Sequence, residues 1–203
     1  MRSDLPPAPP FGAALPLAAS PETLRFLALR RSVSAVALVG PGPDAGQLSD
    51  LLRLATRVPD HGKLAPWRFI VLDGADKVAF AGGLEGLARD RNDPLLAGKL
   101  AKLKAPPLAV AVISSPKPGA IPEWEQLLSA GAVCTSLVTA ALAMGFGANW
   151  ITDWYSYDSE ATAILGLGSA ERVAGFVMIG TPKEPPQERE RPVLAPLVTR
   201  WSR

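Results

Sequence analysis

Cysteine and histidine are almost missing from this 203-residue chain, which contains one of each, Cys134 and His61. A single cysteine excludes an internal disulfide and favours a reducing compartment, so we expect a cytoplasmic protein. One cysteine and one histidine also cannot build a typical zinc site, and we expect no metal. Cys134 lies within a long apolar helical segment, which favours a place in the core over a role as a nucleophile.

The chain also has no strong excess of positive or negative charge and no long apolar run. The 21 basic and 19 acidic residues leave a formal net charge of +2, which creates no broad field for nucleic acid or a membrane surface. No run approaches the roughly 20 apolar residues of a membrane-spanning helix. We therefore expect neither partner, and any anion binding must come from local clusters.

Proline, in contrast, is abundant, with 21 residues that are frequent near both ends of the chain. Residues 1–20 form a Pro/Ala-rich leader, which we expect to be flexible because its prolines interrupt any signal-peptide pattern. Residues 183–203 form a tail that keeps apolar side chains without a helical period, so we expect it to pack on a second copy of the chain. Residues 21–182 are expected to form one domain.

Helical and strand patterns follow one another within this domain. A capping serine and a proline favour a helix from residue 20 or 21 to about residues 30–32, and apolar spacing predicts a second over 44–58. Apolar runs predict strands over 68–74, 107–115 and 172–181, with a short strand within 148–155. The remaining segments, 75–104, 123–144 and 159–167, are helical in pattern. This mixture predicts an α/β or α+β layer architecture.

Two arginines and a serine close the first helix in the segment RRSVS, residues 30–34. The guanidinium groups of Arg30 and Arg31, together with the hydroxyl of Ser32, can hold a phosphate. Basic residues in the last turn of a helix also complement its dipole, and this simpler interpretation stays open.

The histidine lies in a proline-bounded loop, RVPDHGKLAPWRF, residues 57–69. Arg57 and His61 are four residues apart and Lys63 follows, so several donors can converge on one acceptor-rich ligand if the prolines keep the loop rigid. A solvated loop with a satisfied histidine is the alternative.

Small residues and a tryptophan follow the longest helix in GFGANWITD, residues 145–153. The small residues let a backbone approach a flat ligand, and Trp150 can pack beside it. The pattern follows a helix, so it is not a dinucleotide-binding fingerprint, and by itself it is a helix end and a turn. Residues 124–126 at the start of that helix provide only its early charges.

Taken in order, RRSVS, RVPDHGKLAPWRF, WEQLLSAGAVCTSLVTAALAMGFGANW and GFVMIGTP resemble the flavin-dependent nitroreductase family, above all its short bacterial members with a Pro-Asp-His loop. The resemblance runs from about Leu24 to Pro182. It implies an α+β fold, a nitroreductase-like α/β sandwich with a central antiparallel sheet flanked by helices, in an intertwined homodimer with FMN at the subunit interface. It also implies an NAD(P)H-dependent oxidoreductase that passes hydride through FMN to nitroaromatic, quinone or similar acceptors by a ping-pong mechanism.

The resemblance assigns residues to this activity. It implies that Arg30, Arg31 and Ser32 hold the FMN phosphate, that Arg57 and His61 reach the flavin from the other subunit, that Trp150, Ile151 and Thr152 line it, and that Ala140, Ala141, Leu142, Ala143, Met144 and Gly145 meet NAD(P). A positive group near the pyrimidine side of the flavin would be Arg57, His61 or Lys63. No catalytic side chain is implied, because the flavin carries the chemistry.

Three positions depart from the family pattern, since Ala35, Ala65 and Ile151 stand where relatives often have polar donors. The lack of polar donors at these positions predicts weaker FMN retention or an altered substrate pocket. Two alternatives therefore stay open: an FMN-binding storage or sensing protein with little turnover, and a dimeric interaction protein without a cofactor.

Overall fold

A five-stranded antiparallel sheet forms the centre of the computed structural model, which describes residues 5–202. Its strands are β1 Leu38–Val39, β2 Trp67–Asp73, β3 Leu108–Ser114, β4 Gly147–Ile151 and β5 Arg172–Pro182. β5 is the central strand, because it pairs with β3, with β4 and, at its last two residues, with β1. β2 pairs with the other side of β3. The predicted α+β fold with a central antiparallel sheet is confirmed.

Seven α-helices accompany the sheet in the described part of the chain. They are α1 Pro21–Leu29, α2 Ala45–Ala55, α3 Gly74–Asp90, α4 Pro94–Lys99, α5 Ala101–Lys104, α6 Glu123–Ala143 and α7 Ser159–Ile164. The predicted cap of α1 is present, because Ser20 Oγ accepts a hydrogen bond from the backbone N–H of Thr23 at 3.3 Å. Asp44 and Gln47 form a capping box at α2. These local bonds define where the two helices begin.

The helices cover both faces of the sheet and bury β3 completely. On one face Ala109, Ala111 and Ile113 pack in a core that includes residues of α3, α5 and α7. On the other face Val110 and Val112 pack against α2 and α6. Apolar residues at nearly every position of β3 follow from this burial on both faces.

α6 is the one described helix that is long and apolar enough to cross a membrane by length and composition, so the expectation that no segment approaches this pattern was wrong. Half of its most apolar window is buried inside the fold, and it packs against β3, β4, β5 and α2. Cys134 is fully buried on this helix, and burial raises the pKa of its thiol to about 12. The core position expected for Cys134 is confirmed.

The elements differ from the expected ones where local geometry breaks a pattern. The helical stretch 75–104 is divided, because Asn92 has a positive φ of 53° and Asp93 caps α4 in front of Pro94. α2 ends at Ala55, before the expected 58, and Thr56 is its C-cap residue. β1 is only two residues long and carries no strand pattern. Residues 1–4 of the leader and residue 203 of the tail lie outside the described residues.

Candidate functional site

A polar cavity of about 480 Å³ lies where α1 ends. Its lining includes Arg30, Arg31, Ser32, Ser34, Asn149, Trp150, Arg189 and Arg191. The end of α1, the strand β4 and the C-terminal tail meet here. Four guanidinium groups line this one polar cavity, and such groups suit an anion by their charge and their donors.

Arg30 carries an unsatisfied donor in this cavity. Its Nη2 atom donates a hydrogen bond to Ser32 Oγ at 3.4 Å, but within the described part of the chain its buried Nε has no hydrogen-bond partner. Leaving a buried donor unpaired costs about 1–3 kcal/mol, more for a charged group.

The tail supplies two cavity residues that sequence reasoning missed. Arg31 Nε donates to the carbonyl oxygen of Gln187, 156 residues further along the chain, at 2.9 Å, and this bond holds the tail beside α1. Glu188 accepts a hydrogen bond from Arg191 Nη2 at 2.8 Å and lies 3.8 Å from Arg31 Nε. Arg189 and Arg191 thereby reach the cavity. Only the alternating charges of residues 188–191 hint at this, and such runs are usually solvated.

A smaller cavity of about 250 Å³ shares three residues with the polar one. The smaller cavity is lined by Arg30, Ser32, Thr135, Val138, Thr139 and Trp150. Two neighbouring cavities, one cationic and one partly apolar, suit an elongated ligand with an anionic end. Ile151, the next residue after Trp150, is half-buried and packs on the core, whereas Thr152 is exposed.

The indole of Trp150 lies in a slot made by glycine. Its Nε1 donates to the carbonyl oxygen of Ala174 at 3.2 Å. A Cβ at Gly175 would overlap the indole, and one at Gly131 would touch it at 3.7 Å. Absence of a side chain at Gly175 therefore decides where the tryptophan lies.

Arg57 lines a different cavity, of about 510 Å³ between α1, α2 and α6. Its lining includes Phe26 and Leu54, and also Ala140 and Ala143 from the end of α6. Within one chain the structure therefore brings Arg57 together with part of the predicted NAD(P) segment and not with Arg30.

The rest of the predicted NAD(P) segment has mixed exposure. Ala141 is fully buried, Leu142 and Met144 are half-buried, and Gly145 is exposed. Gly145 has a φ of 86°, a left-handed conformation that ends the helix. Its backbone N–H donates to Leu142 O at 3.1 Å.

Hydrogen bonds fasten the histidine loop to itself and to α6. The Asp60 carboxylate accepts hydrogen bonds from the backbone N–H groups of Leu64 and Ala65, at 3.1 and 2.8 Å. Ser129 Oγ of α6 donates to the carbonyl oxygen of Pro59 at 2.7 Å and lies 3.2 Å from the Trp67 Nε1 donor. Both ends of the loop are thus fastened to one side chain of α6.

His61 is paired with a carboxylate that sequence reasoning treated only as an early helix charge. Its Nδ1 lies 2.7 Å from Glu125 Oε2 in the first turn of α6. The next residue, Gln126, bonds the backbone of Lys117 and Ile121 on the preceding loop. Glu125 and Ser129 are four residues apart on one helix face, and this spacing is the signal that could have identified them.

The three departures from the family pattern have different surroundings. Ala35 is 2% exposed within the core, so this position does not face the polar cavity. Ala65 is exposed and its N–H is used by Asp60. Ile151 packs on the core. None of these side chains offers a polar donor, and Arg189 and Arg191 stand in the cavity instead.

Known proteins resemble this chain in both sequence and fold. Residues 28–181 match the Nitroreductase family. The Escherichia coli (strain K12) protein named "Putative NAD(P)H nitroreductase YdjA" is 31% identical over 165 residues, which cover 80% of this chain and 89% of that protein. The chain therefore belongs to the nitroreductase family, which is a family of oxidoreductases, and the resemblance noted from the sequence is confirmed.

Solved structures share the fold at lower identity. A nitroreductase-like family protein from Bacillus cereus superposes with a TM-score of 0.75 at 20% identity, covering 92% of this chain and 98% of that one. A nitroreductase with bound FMN from Bacteroides fragilis superposes with a TM-score of 0.68 at 22% identity, covering 90% and 100%.

Proposed function

We propose that this protein is an FMN-dependent NAD(P)H oxidoreductase that passes hydride from a nicotinamide nucleotide to nitroaromatic, quinone or similar acceptors by a ping-pong mechanism. Its family, the name of its Escherichia coli relative and the FMN bound to its Bacteroides fragilis neighbour support this function. The observation that carries it is the cationic cavity that shares Trp150 with a partly apolar one.

The residues of this cavity fit FMN. Its phosphate suits the guanidinium groups of Arg30 and Arg31 and the hydroxyl of Ser32, residues that line the cavity. Arg189 and Arg191 add two guanidinium groups, and we propose that they also bind the phosphate. The ring system then lies beside Trp150, with Ile151 and Thr152 next along the chain.

The protein's own part in the reaction is to bind and orient. When bound, FMN supplies the hydride-transfer chemistry. A cation near the pyrimidine side stabilises negative charge there, and Arg57, His61 and Lys63 remain the candidates. Ala140–Gly145 remain the proposed contact for the nicotinamide nucleotide. The site would admit the nucleotide and then the acceptor in turn, and no protein nucleophile would be needed because the cofactor would supply the chemistry.

We further propose that the active form is a homodimer in which Arg57 and His61 complete the flavin site of the other subunit. In a single chain these residues do not line the cavity that contains Arg30. α1 and the start of α6 expose large apolar side chains, such as Leu24 (67% exposed) and Leu128 (64%). The tail exposes others, including Val193, Leu194, Leu197 and Val198. A partner subunit would cover these surfaces, and the tail from residue 183 would pack on it.

The test starts with the colour of the purified protein. We expect flavin absorbance, bleaching by NADH or NADPH without oxygen, and recovery of colour when a nitroaromatic or quinone is added. Flavin that binds but is not reduced would favour the storage or sensing alternative, which the missing donors at Ala65 and Ile151 keep open. A protein that stays colourless with added FMN would contradict both. Fractionation of cells would test the cytoplasmic location that its single cysteine predicts.

A further inference from the structure

We propose that Glu125 is the positioning residue for His61. It keeps a proton on Nδ1, so that Nε2 is the atom that the imidazole presents to the flavin site. This inference rests on the proposed function for what Nε2 contacts, but the state of the ring is a property of the protein alone.

The contact with the Glu125 carboxylate determines which nitrogen bears the proton. His61 Nδ1 and Glu125 Oε2 are 2.7 Å apart. An ionised carboxylate only accepts hydrogen bonds, so Nδ1 must carry a proton in both the neutral and the cationic ring. Nε2 is then an acceptor in the neutral ring and a donor in the cation. The histidine side chain is 63% exposed and that of Glu125 is 29% exposed, so the ring keeps free surface for a ligand.

Both partners stand on rigid supports. Glu125 lies in the first turn of α6, where its backbone N–H donates to Pro122 O at 3.1 Å. His61 lies on the loop whose start is fastened to Ser129, one helical turn further along α6. The Asp60 carboxylate closes the other side of that loop. A side chain held at one ring nitrogen on a fixed backbone has few orientations left, which lowers the entropy lost when a ligand binds.

Nuclear magnetic resonance can test the proton position directly, because the chain contains one histidine. Full-length protein labelled with ¹⁵N-histidine is measured at about pH 9, above the usual histidine range. We expect the proton on Nδ1 in the wild type and a shift towards the Nε2–H form in E125A. E123A is the matched control, since Glu123 lies in the same turn and faces Arg172 at 3.9 Å. It should match the wild type.

The same variants measure the effect on cofactor binding. We expect E125A to raise the Kd for FMN by about five- to tenfold, the range of one lost hydrogen bond. E125Q keeps a neutral hydrogen-bond acceptor, so it should lose less affinity for FMN than E125A. In an H61A background, E125A should add no further loss, because Glu125 acts through the imidazole.

Failures of the two proposals are distinguishable. A wild-type ring with its proton on Nε2, or the same tautomer in wild type and E125A, would overturn the role of Glu125. Additive losses in the double variant would do the same, since they would mean that Glu125 acts apart from His61. Wild-type protein that binds no FMN would instead overturn the proposed function. Circular dichroism and melting curves confirm that each variant is folded.

Discussion

The chain itself provides hydrogen-bond acceptors for only some of the donors of the Arg30 guanidinium group. Ser32 Oγ accepts a hydrogen bond from Arg30 Nη2 at 3.4 Å. Among residues 5–202, however, the buried Nε of Arg30 has no hydrogen-bond partner. Proteins rarely bury such a group without a use for it. We therefore propose that Arg30 serves a ligand and not only the helix dipole, which was the simpler interpretation of RRSVS.

Replacing Arg30 by glutamine tests this explanation. A charge-assisted hydrogen bond contributes about 1.5–3 kcal/mol, so R30Q should raise the Kd for FMN roughly ten- to hundredfold. Fluorescence titration of apoprotein measures this change. Arg89 provides the control, because its side chain on α3 is 81% exposed and outside the cavity. An R30Q protein that binds FMN as tightly as R89Q would contradict the assignment.

The tail arginines give a second prediction at this scale. We expect the double variant R189Q/R191Q to lose FMN affinity and to gain salt tolerance in binding, because two charges leave the cavity. A titration at low and high ionic strength measures both effects. Equal Kd values for the variant and the wild type would show that the tail plays no part in holding the phosphate.

Gly175 gives a third prediction, because its missing side chain makes room for an indole. G175A must displace Trp150, and we expect weaker FMN binding and a changed near-ultraviolet circular dichroism spectrum. At Gly82 on α3, a Cβ would meet no other atom within 4 Å. G82A should therefore bind FMN normally and stabilise its helix by about 0.5–1 kcal/mol. A G175A protein with an unchanged spectrum and an unchanged Kd for FMN would contradict the inference that Gly175 makes room for Trp150.

Residue-scale features were only partly predictable. Arg30, Arg31 and Ser32 are adjacent in the chain, so a local pattern was enough to find them. Arg189, Arg191 and Glu125 were missed, because their roles depend on distances that close only when the tail reaches α1 and the loop reaches α6.

At the scale of elements, one ion pair ties the edge strand β2 to the segment before β5. Arg68 Nε and Nη2 donate to the two carboxylate oxygens of Glu171, each at 2.7 Å. Hydrogen bonds from Arg68, and more weakly from the backbone N–H of Gly168, lower the pKa of Glu171 to about 2 against the opposing effect of burial. β2 carries the C-terminal end of the histidine loop, so this pair also supports the site.

Acid titration tests the contribution of this pair. The pKa of Glu171 is depressed in the fold, so its stabilisation is complete above the unfolded value of 4.5 and is lost as the pH falls towards about 2. Arg68 is 40% exposed, so solvent screening limits the pair to about 1 kcal/mol. We expect E171Q to lower the Tm by about 2–4 °C at pH 7. The difference should shrink below pH 4.5, and a constant difference throughout the acid range would contradict this account.

Elements with long regular patterns were predicted well, and short or interrupted ones were not. β3 and β5 are apolar enough to be found from the sequence alone. β1 has two residues and exists only because Leu38 and Val39 meet the end of β5. The apolar stripe of α6 was found as one feature, but only its later part is core: Cys134 and Val138 are buried, whereas Trp124 and Leu128 are exposed.

At the scale of the whole molecule, a single chain leaves apolar surface uncovered. No residue of α1 is buried in the described chain, and Leu24, Leu27 and Leu29 are more than half exposed there. A helix as short as α1 is not stable by itself in water and needs tertiary packing. Large apolar patches of this kind mark an interface, which supports the proposed dimer.

A charge placed on this surface should weaken the dimer. We expect wild-type protein to have twice the chain mass by light scattering, and L128E to shift towards the monomer and to lose FMN. V78E is the control, because Val78 is 70% exposed but lies on α3, across the sheet. It should stay dimeric and yellow. Monomeric wild-type protein that still holds FMN would contradict the shared site.

The sequence by itself determined the family, the main strands and helices, and the Arg30–Ser32 cluster, because periodicity, capping and neighbouring residues are local properties of the chain. Tertiary structure decided the rest. Arg31 donates a hydrogen bond to the C-terminal tail at Gln187. Gly175 leaves the space that the indole of Trp150 occupies, and Glu125 contacts His61, which is 64 residues away in the sequence. Such contacts depend on how the elements pack around the sheet, and no local pattern encodes that arrangement.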